Sequence, residues 1–158
     1  MSNSEIAVKE FADIVRRFCV WAENLTDPKD EDLEDAQRFL CKLHLSVLRL
    51  PVLDSGNTED CLTRDDWLRV HKSFQQLPLD WYWKVFDVFS GDEVPVFCSI
   101  SDDLADIYKD LKEGLLLYDS GKVNEAVWEW RFNYLIHWGR HLTGAQTALH
   151  QHLAANLV

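Results

Sequence analysis

The chain has 158 residues, 47% of them hydrophobic, ample for one domain with a real core and too short for two comfortable ones. Its 27 acidic residues against 16 basic ones give a formal charge of −11, which repels phosphate backbones and anionic lipid, so neither nucleic acid nor a membrane is an expected partner. No run approaches the ~18 apolar residues of a membrane span, "MSNSEIAVKEFADIV" lacks the regions of a secretory signal, and Cys19, Cys41, Cys61 and Cys98 have neither zinc nor disulfide spacing; a cytoplasmic protein with reduced thiols is expected.

From Ser4 to about Glu23, Ala7, Val8, Phe11, Ile14, Val15, Phe18 and Ala22 recur at steps of three and four and define a first amphipathic helix. A second is expected from Asp27 as N-cap, through Pro28 and the acids Asp30, Glu31 and Asp32, to Leu50 ahead of Pro51. After the polar loop "DSGNTED", the Thr63/Asp66 capping signature opens a third helix through Trp67, Val70, Phe74 and Leu77, which Pro78 stops. The run "DWYWKVFDVF" fits a helix or a short alternating strand; its helical surroundings favour the helix, with Trp81, Tyr82, Trp83, Phe86 and Phe89 in the core. "SGDEVPVF" is loop.

Ser101 is the expected cap of a helix with Asp102 and Asp103 in its first turn and Leu104, Ile107, Tyr108, Leu111 and Leu115 on its apolar face. Gly121 suits the left-handed position after it. So short a turn forces the next helix, about Lys122 to Leu153, to run back antiparallel. The expected fold is all-α: one domain spanning residues 1–158, a bundle of five or six helices ending in a long antiparallel hairpin.

The block "DDLADIYKDLKEGLLLYDSGKVNEAVWEWRFNYLIHWGRHLTGAQTALH" carries a resemblance in "DDLADIYKDLKEGLLLY" and "WEWRF…HWGRH…ALH". It resembles the signature of a bacterial family catalogued only as a domain of unknown function. The resemblance implies an all-α bacterial protein whose interest lies in its C-terminal hairpin, and it implies no activity.

His137 and His141 stand one turn apart and could share a divalent metal. The residue after the first is Trp138, which excludes the H-E-x-x-H protease chemistry. His152, at ~1.5 Å per residue, lies ~16 Å beyond His141 and cannot complete the same site. A third ligand would have to come from Asp103, Asp106 or Asp110, spaced by three and four along one edge of the preceding helix. Two His with optional carboxylates is a thin ligand set, so the expectation is no metal site, with these His at the core edge on carboxylates or Trp.

On a wheel of ~100° per residue, Arg131 falls in the arc of Trp138, Leu142, Leu135, Val127 and Leu149. Buried there it needs a carboxylate, because stranding one member of a buried pair costs ~3–5 kcal/mol. Pairing outward from Ser120–Gly121 brings Arg131 level with Asp110, Asp106 one turn away, and His137 level with Asp103. The expectation is a mostly buried Arg131 bonded to Asp106 or Asp110; the functional alternative is Arg131 and the two His lining a pocket for an anion. Trp128, Trp130 and Trp138 are expected core residues, Trp130 also being a candidate stacking platform. Gly114, Gly139 and Gly144 within helices point to close backbone approach or a bend near "HWGRH".

No phosphate-cradling loop, nucleophile elbow or dinucleotide fingerprint occurs, so no catalytic residue and no cofactor are assigned. The favoured reading is a non-catalytic module that binds another protein through its acidic surface or the 81–89 aromatic segment. The alternative is a small-ligand- or metal-binding bundle, possibly hydrolytic, centred on Arg131, His137, His141, Trp130 and the Asp103/Asp106/Asp110 edge.

Overall fold

The computed structural model describes residues 1–54, 56 and 62–156. Most of "DSGNTED" and Cys61 therefore lie outside the described residues. The helices are α1 Asn3–Asn24, α2 Asp30–Val47, α3 Arg64–Phe74 and α4 Ile100–Asp119, followed by a continuous last rod of α5 Val123–Asn133, a π-helical turn Tyr134–Trp138 and α6 Gly139–Asn156. Between α3 and α4 run two short antiparallel strands, β1 Trp81–Lys84 and β2 Val96–Ser99. The all-α expectation holds, with this small ribbon as the addition.

The helix ends follow local chemistry. Ser2 opens α1 reciprocally with Glu5, its hydroxyl accepting the Glu5 N–H at 3.2 Å and its own N–H donating to the Glu5 carboxylate. Thr63 accepts the Asp66 N–H as expected. Two starts differ from the sequence reading. Asp27 is not a cap; it takes a left-handed φ of 47°, α2 begins at Asp30, and the Lys29 N–H donates to Asp32 Oδ2 at 2.7 Å. Of the acidic run, the carboxylate that bonds back is thus inside the helix. At α4 the cap is Ser99, whose hydroxyl accepts the Asp102 N–H at 3.2 Å, and Ser101 is buried in the first turn.

Helix α4 is the central element, packed on α1, α3, α5 and α6. Its Ile100, Leu104, Ile107, Leu111 and Leu115 join Phe11, Val15 and Phe18 of α1, Leu33, Leu40 and Leu43 of α2, and Trp130, Trp138 and Leu142 of the last rod in one hydrophobic cluster. Each fully buried large apolar side chain contributes ~1.5–3 kcal/mol of transfer free energy. The hairpin turn forms as expected, with Gly121 at φ 84°.

Trp130 is completely buried, and its indole N–H donates to the Leu111 carbonyl at 3.0 Å. It meets α4 at Gly114, where a Cβ would stand 2.1 Å from the indole nitrogen. Glycine is thus what lets the two helices close over an indole. Gly114→Ala should destabilise the protein by about 1–3 kcal/mol, although Ala is the better helix former, because the ring has nowhere to go. A denaturant midpoint unchanged by the substitution would show that Trp130 can move aside.

Cys19, Cys41 and Cys98 are free. Burial pushes the Cys19 thiol up to about 12, against the opposing pull of Lys112. An unfolded thiol ionises near pH ~8.5 while the native one keeps its proton, so this group's contribution to stability falls as pH rises above that value. At pH ~8 an alkylating reagent should therefore modify exposed Cys41 quickly and Cys19 only on unfolding; equal rates at the two would contradict its burial.

Candidate functional site

Asp103, Asp106 and Asp110 line the edge of α4 that faces the last rod. Opposite them the rod changes its winding: the Gly139 N–H reaches the Tyr134 carbonyl, five residues back. A Cβ on Gly139 would lie 2.2 Å from that oxygen, so glycine permits the π turn, and the bend expected at "HWGRH" is this feature. His137 sits in the π turn and His141 in the first turn of α6.

Each histidine is held by a buried carboxylate. His137 Nδ1 lies 2.6 Å from Asp110 Oδ2 and His141 Nδ1 lies 2.7 Å from Asp103 Oδ1, with both Asp side chains 7% exposed. A carboxylate can only accept here, so Nδ1 carries the donated proton in each neutral ring and Nε2 keeps its lone pair. Burial pushes the Asp110 carboxyl above its usual range, with the hydrogen bond and charge of His137 pulling it back. Asp106 stands 3.6 Å from His141 Nε2, and the two imidazole centroids are 4.8 Å apart.

The ribbon is pinned to this edge. Tyr82 donates its hydroxyl to Asp103 Oδ2 at 2.5 Å, and burial first, then that hydrogen bond, push the phenol far above its ordinary value. Lys84 on the same strand face donates to the Arg140 carbonyl at 2.8 Å. With Tyr82 and Lys84 turned in, alternation turns Trp81 and Trp83 out. Phe97, the cross-strand partner of Trp83, stacks on Trp81 at 5.0 Å and leans on Trp83 at 4.9 Å.

Several sequence expectations are corrected here. Arg131 is half-buried and, among the described residues, bonds no carboxylate; its guanidinium donates to the carbonyls of Leu50 at 3.0 Å and Val47 at 3.3 Å, closing the C-terminal end of α2. The buried indole of Trp130 reaches the Leu111 carbonyl, but Arg131, one residue on, points at the end of α2 instead of at Asp110. The π turn also breaks the 100° wheel, which is why Leu135, placed in the same inward arc, is 67% exposed. His137 pairs with Asp110 rather than Asp103. Trp130, wholly buried, is core and no stacking platform, and Trp128 is half-buried, stacked on Phe132 at 4.6 Å. The 81–89 segment is neither helix nor core: β1 occupies its start, and Trp81, Trp83, Phe86 and Phe89 are exposed. Tyr82 was missed as a site residue; period-two alternation in "WYWK" is the signal that identifies it.

The family model described as "Domain of unknown function (DUF5063)" matches residues 3–155, and the chain belongs to this family. The crystal structure of protein BF1032 from Bacteroides fragilis is similar at a TM-score of 0.74 and 23% identity, over 91% of this chain and 90% of that one; the likeness establishes the fold. No curated protein matches. Among the described residues no helix is long and apolar enough to cross a membrane.

The pairings can be separated by double-mutant cycles. His137→Ala and Asp110→Asn should be coupled by ~0.5–3 kcal/mol, whereas Arg131→Met and Asp110→Asn should be additive within ~0.5 kcal/mol. Arg131→Met alone removes two hydrogen bonds to carbonyls, at a cost of ~1–3 kcal/mol. Coupling between Arg131 and Asp110 of the size seen for His137 would restore the ion pair that the geometry denies.

Proposed function

We propose that the protein works by binding another protein through the outer face of the β1–β2 ribbon. The observation that carries this is the Trp81–Phe97–Trp83 stack, whose members are 59%, 52% and 68% exposed while already ordered against one another. Single exposed apolar residues are ordinary, but a contiguous patch marks a contact surface, and Trp is over-represented among residues that dominate binding. The connecting segment adds further exposed apolar side chains, Phe86, Val88, Phe89 and Val94.

The chemistry favours an extended, basic segment of a partner. A two-stranded sheet has an outer edge on each strand, ready to pair with a third strand whose alternate side chains would lie over the aromatic stack. Asp87, Asp92 and Glu93 border the patch, and the chain's charge of −11 opposes pairing with its own copy. A partner with apolar residues flanked by Lys or Arg meets both conditions.

Selection of random peptides displayed on phage against the full chain should enrich alternating apolar positions with basic flanks. Trp83→Ser and Phe97→Ser should weaken the selected peptides about tenfold or more, the level of a hot spot. Because both side chains are exposed, stability should change by under ~0.5 kcal/mol. Absence of an enriched motif, or peptides indifferent to both substitutions, would end this reading. A dimer in sedimentation that Trp83→Ser turns into monomer would instead make the ribbon a self-association surface.

A further inference from the structure

Along α4, Asp103 to Asp110 span seven residues, ~10.5 Å of helix, while His137 and His141 span four, ~6 Å. The outer two carboxylates take the two Nδ1 atoms, and the middle one, Asp106, is left facing the other side of the rings. One ligand atom from each of Asp106, His137 and His141 lies within 4.8 Å of the other two, and the His141 Nε2 to Asp106 contact is already 3.6 Å. Bonds of ~2.0–2.2 Å to one ion place neighbouring ligand atoms roughly 3–3.5 Å apart, so small side-chain rotations close the set. The Nδ1 bonds matter as much as the spacing. An imidazole that ligates through one nitrogen commonly gives its other N–H to a carboxylate, which fixes tautomer and ring orientation; both rings have that arrangement, on carboxylates that are themselves buried.

We propose that His137, His141 and Asp106 bind one divalent first-row transition metal ion, through the two Nε2 atoms and a carboxylate oxygen, with Asp110 and Asp103 as the outer carboxylates that orient the rings. Two imidazoles and one carboxylate suit zinc, iron(II), manganese or cobalt, and suit neither soft copper(I) nor the all-oxygen calcium and magnesium sites. The side chains are 42%, 27% and 29% exposed for His137, His141 and Asp106, so the remaining coordination positions open to solvent and take water or a small oxygen-donor ligand. Asp103 and Asp110 are each occupied by an Nδ1 atom, whereas Asp106 bonds neither Nδ1 and gains a role from the ion. The set is richer than the sequence expectation allowed, which weighed two His against unplaced carboxylates. This site is separate from the aromatic ribbon face.

Zinc titrated calorimetrically into the chelator-treated full chain should bind at one ion per chain with a micromolar or lower Kd. Asp106→Asn should raise that Kd at least tenfold while leaving the zinc-free Tm unchanged, and His137→Ala and His141→Ala should do so too. Asp110→Asn should weaken binding 10- to 100-fold through ring orientation alone, and His150→Ala, exposed further along α6, should have no effect. If the His variants fail to fold, Asp106→Asn alone decides. A Kd above ~100 μM for the intact chain, or zinc affinity indifferent to Asp106→Asn, would overturn the site and leave the His–Asp pairs as hairpin locks.

Discussion

Two carboxylates on the most enclosed helix of the molecule set the terms for the hairpin. An unpaired charge buried beside α4 costs several kcal/mol, and Asp103 and Asp110 are both buried. Each is met by one imidazole from the last rod, and Asp103 by a tyrosine hydroxyl from the ribbon as well. The rod therefore has to bring two ring nitrogens to one edge while keeping Trp130, Trp138 and Leu142 in the core. It does so with a π turn at Tyr134–Trp138, made sterically possible by Gly139, so the irregular winding serves a polar requirement and a packing requirement together.

The same requirement explains why the ribbon shows its aromatic side to water. A strand can turn only every second residue inward, and here the inward places go to Tyr82, which Asp103 needs, and Lys84, whose ammonium donates to the Arg140 carbonyl on α6. A slip of one residue would bury Trp81 and Trp83 and expose Tyr82. Burying two indoles would gain apolar area, yet it would strand Asp103 with one partner fewer. The register retained gives up that apolar burial, and the exposed stack is its consequence.

Much of the fold could be read from the sequence, because the helices α1, α3 and α4 and the Ser120–Gly121 turn carry local signals: apolar steps of three and four, the Thr63 cap, a glycine where φ is positive. What escaped is non-local or breaks a period. The Arg131 expectation assumed an unbroken 100° progression across Tyr134–Trp138, and the wheel fails where one turn holds an extra residue. The carbonyls that Arg131 does bond, on Val47 at the end of α2 and on Leu50 just beyond it, lie 84 and 81 residues away in sequence, and no short-range pattern reveals that they meet it. The ribbon escaped for a different reason: four-residue strands are too short to outweigh helical neighbours, although "WYWK" alternates. Of the site itself, the residue types and both sides of the hairpin were legible, and the pairing was not. Matching His137 to Asp110 rather than Asp103 depends on side-chain direction, which axial level alone does not give.

A contiguous chain of contacts joins the two surfaces. Trp83 and Tyr82 are neighbours on one strand, Tyr82 bonds Asp103, and Asp103 bonds His141. A phenol keeps its proton at physiological pH, so Tyr82 remains a donor there and ties the ribbon to the orientation of Asp103. A partner on the proposed ribbon surface that shifts Tyr82 would act on His141 through Asp103, and by reciprocity an ion on His141 would act on the ribbon to the same extent. The strength of the link is bounded by its weakest member. A hydrogen bond to a charged acceptor contributes ~1.5–3 kcal/mol net, so events at the two surfaces can influence each other by at most about one to two powers of ten in affinity. That is enough to bias one surface by the state of the other, and too little for either to depend on it.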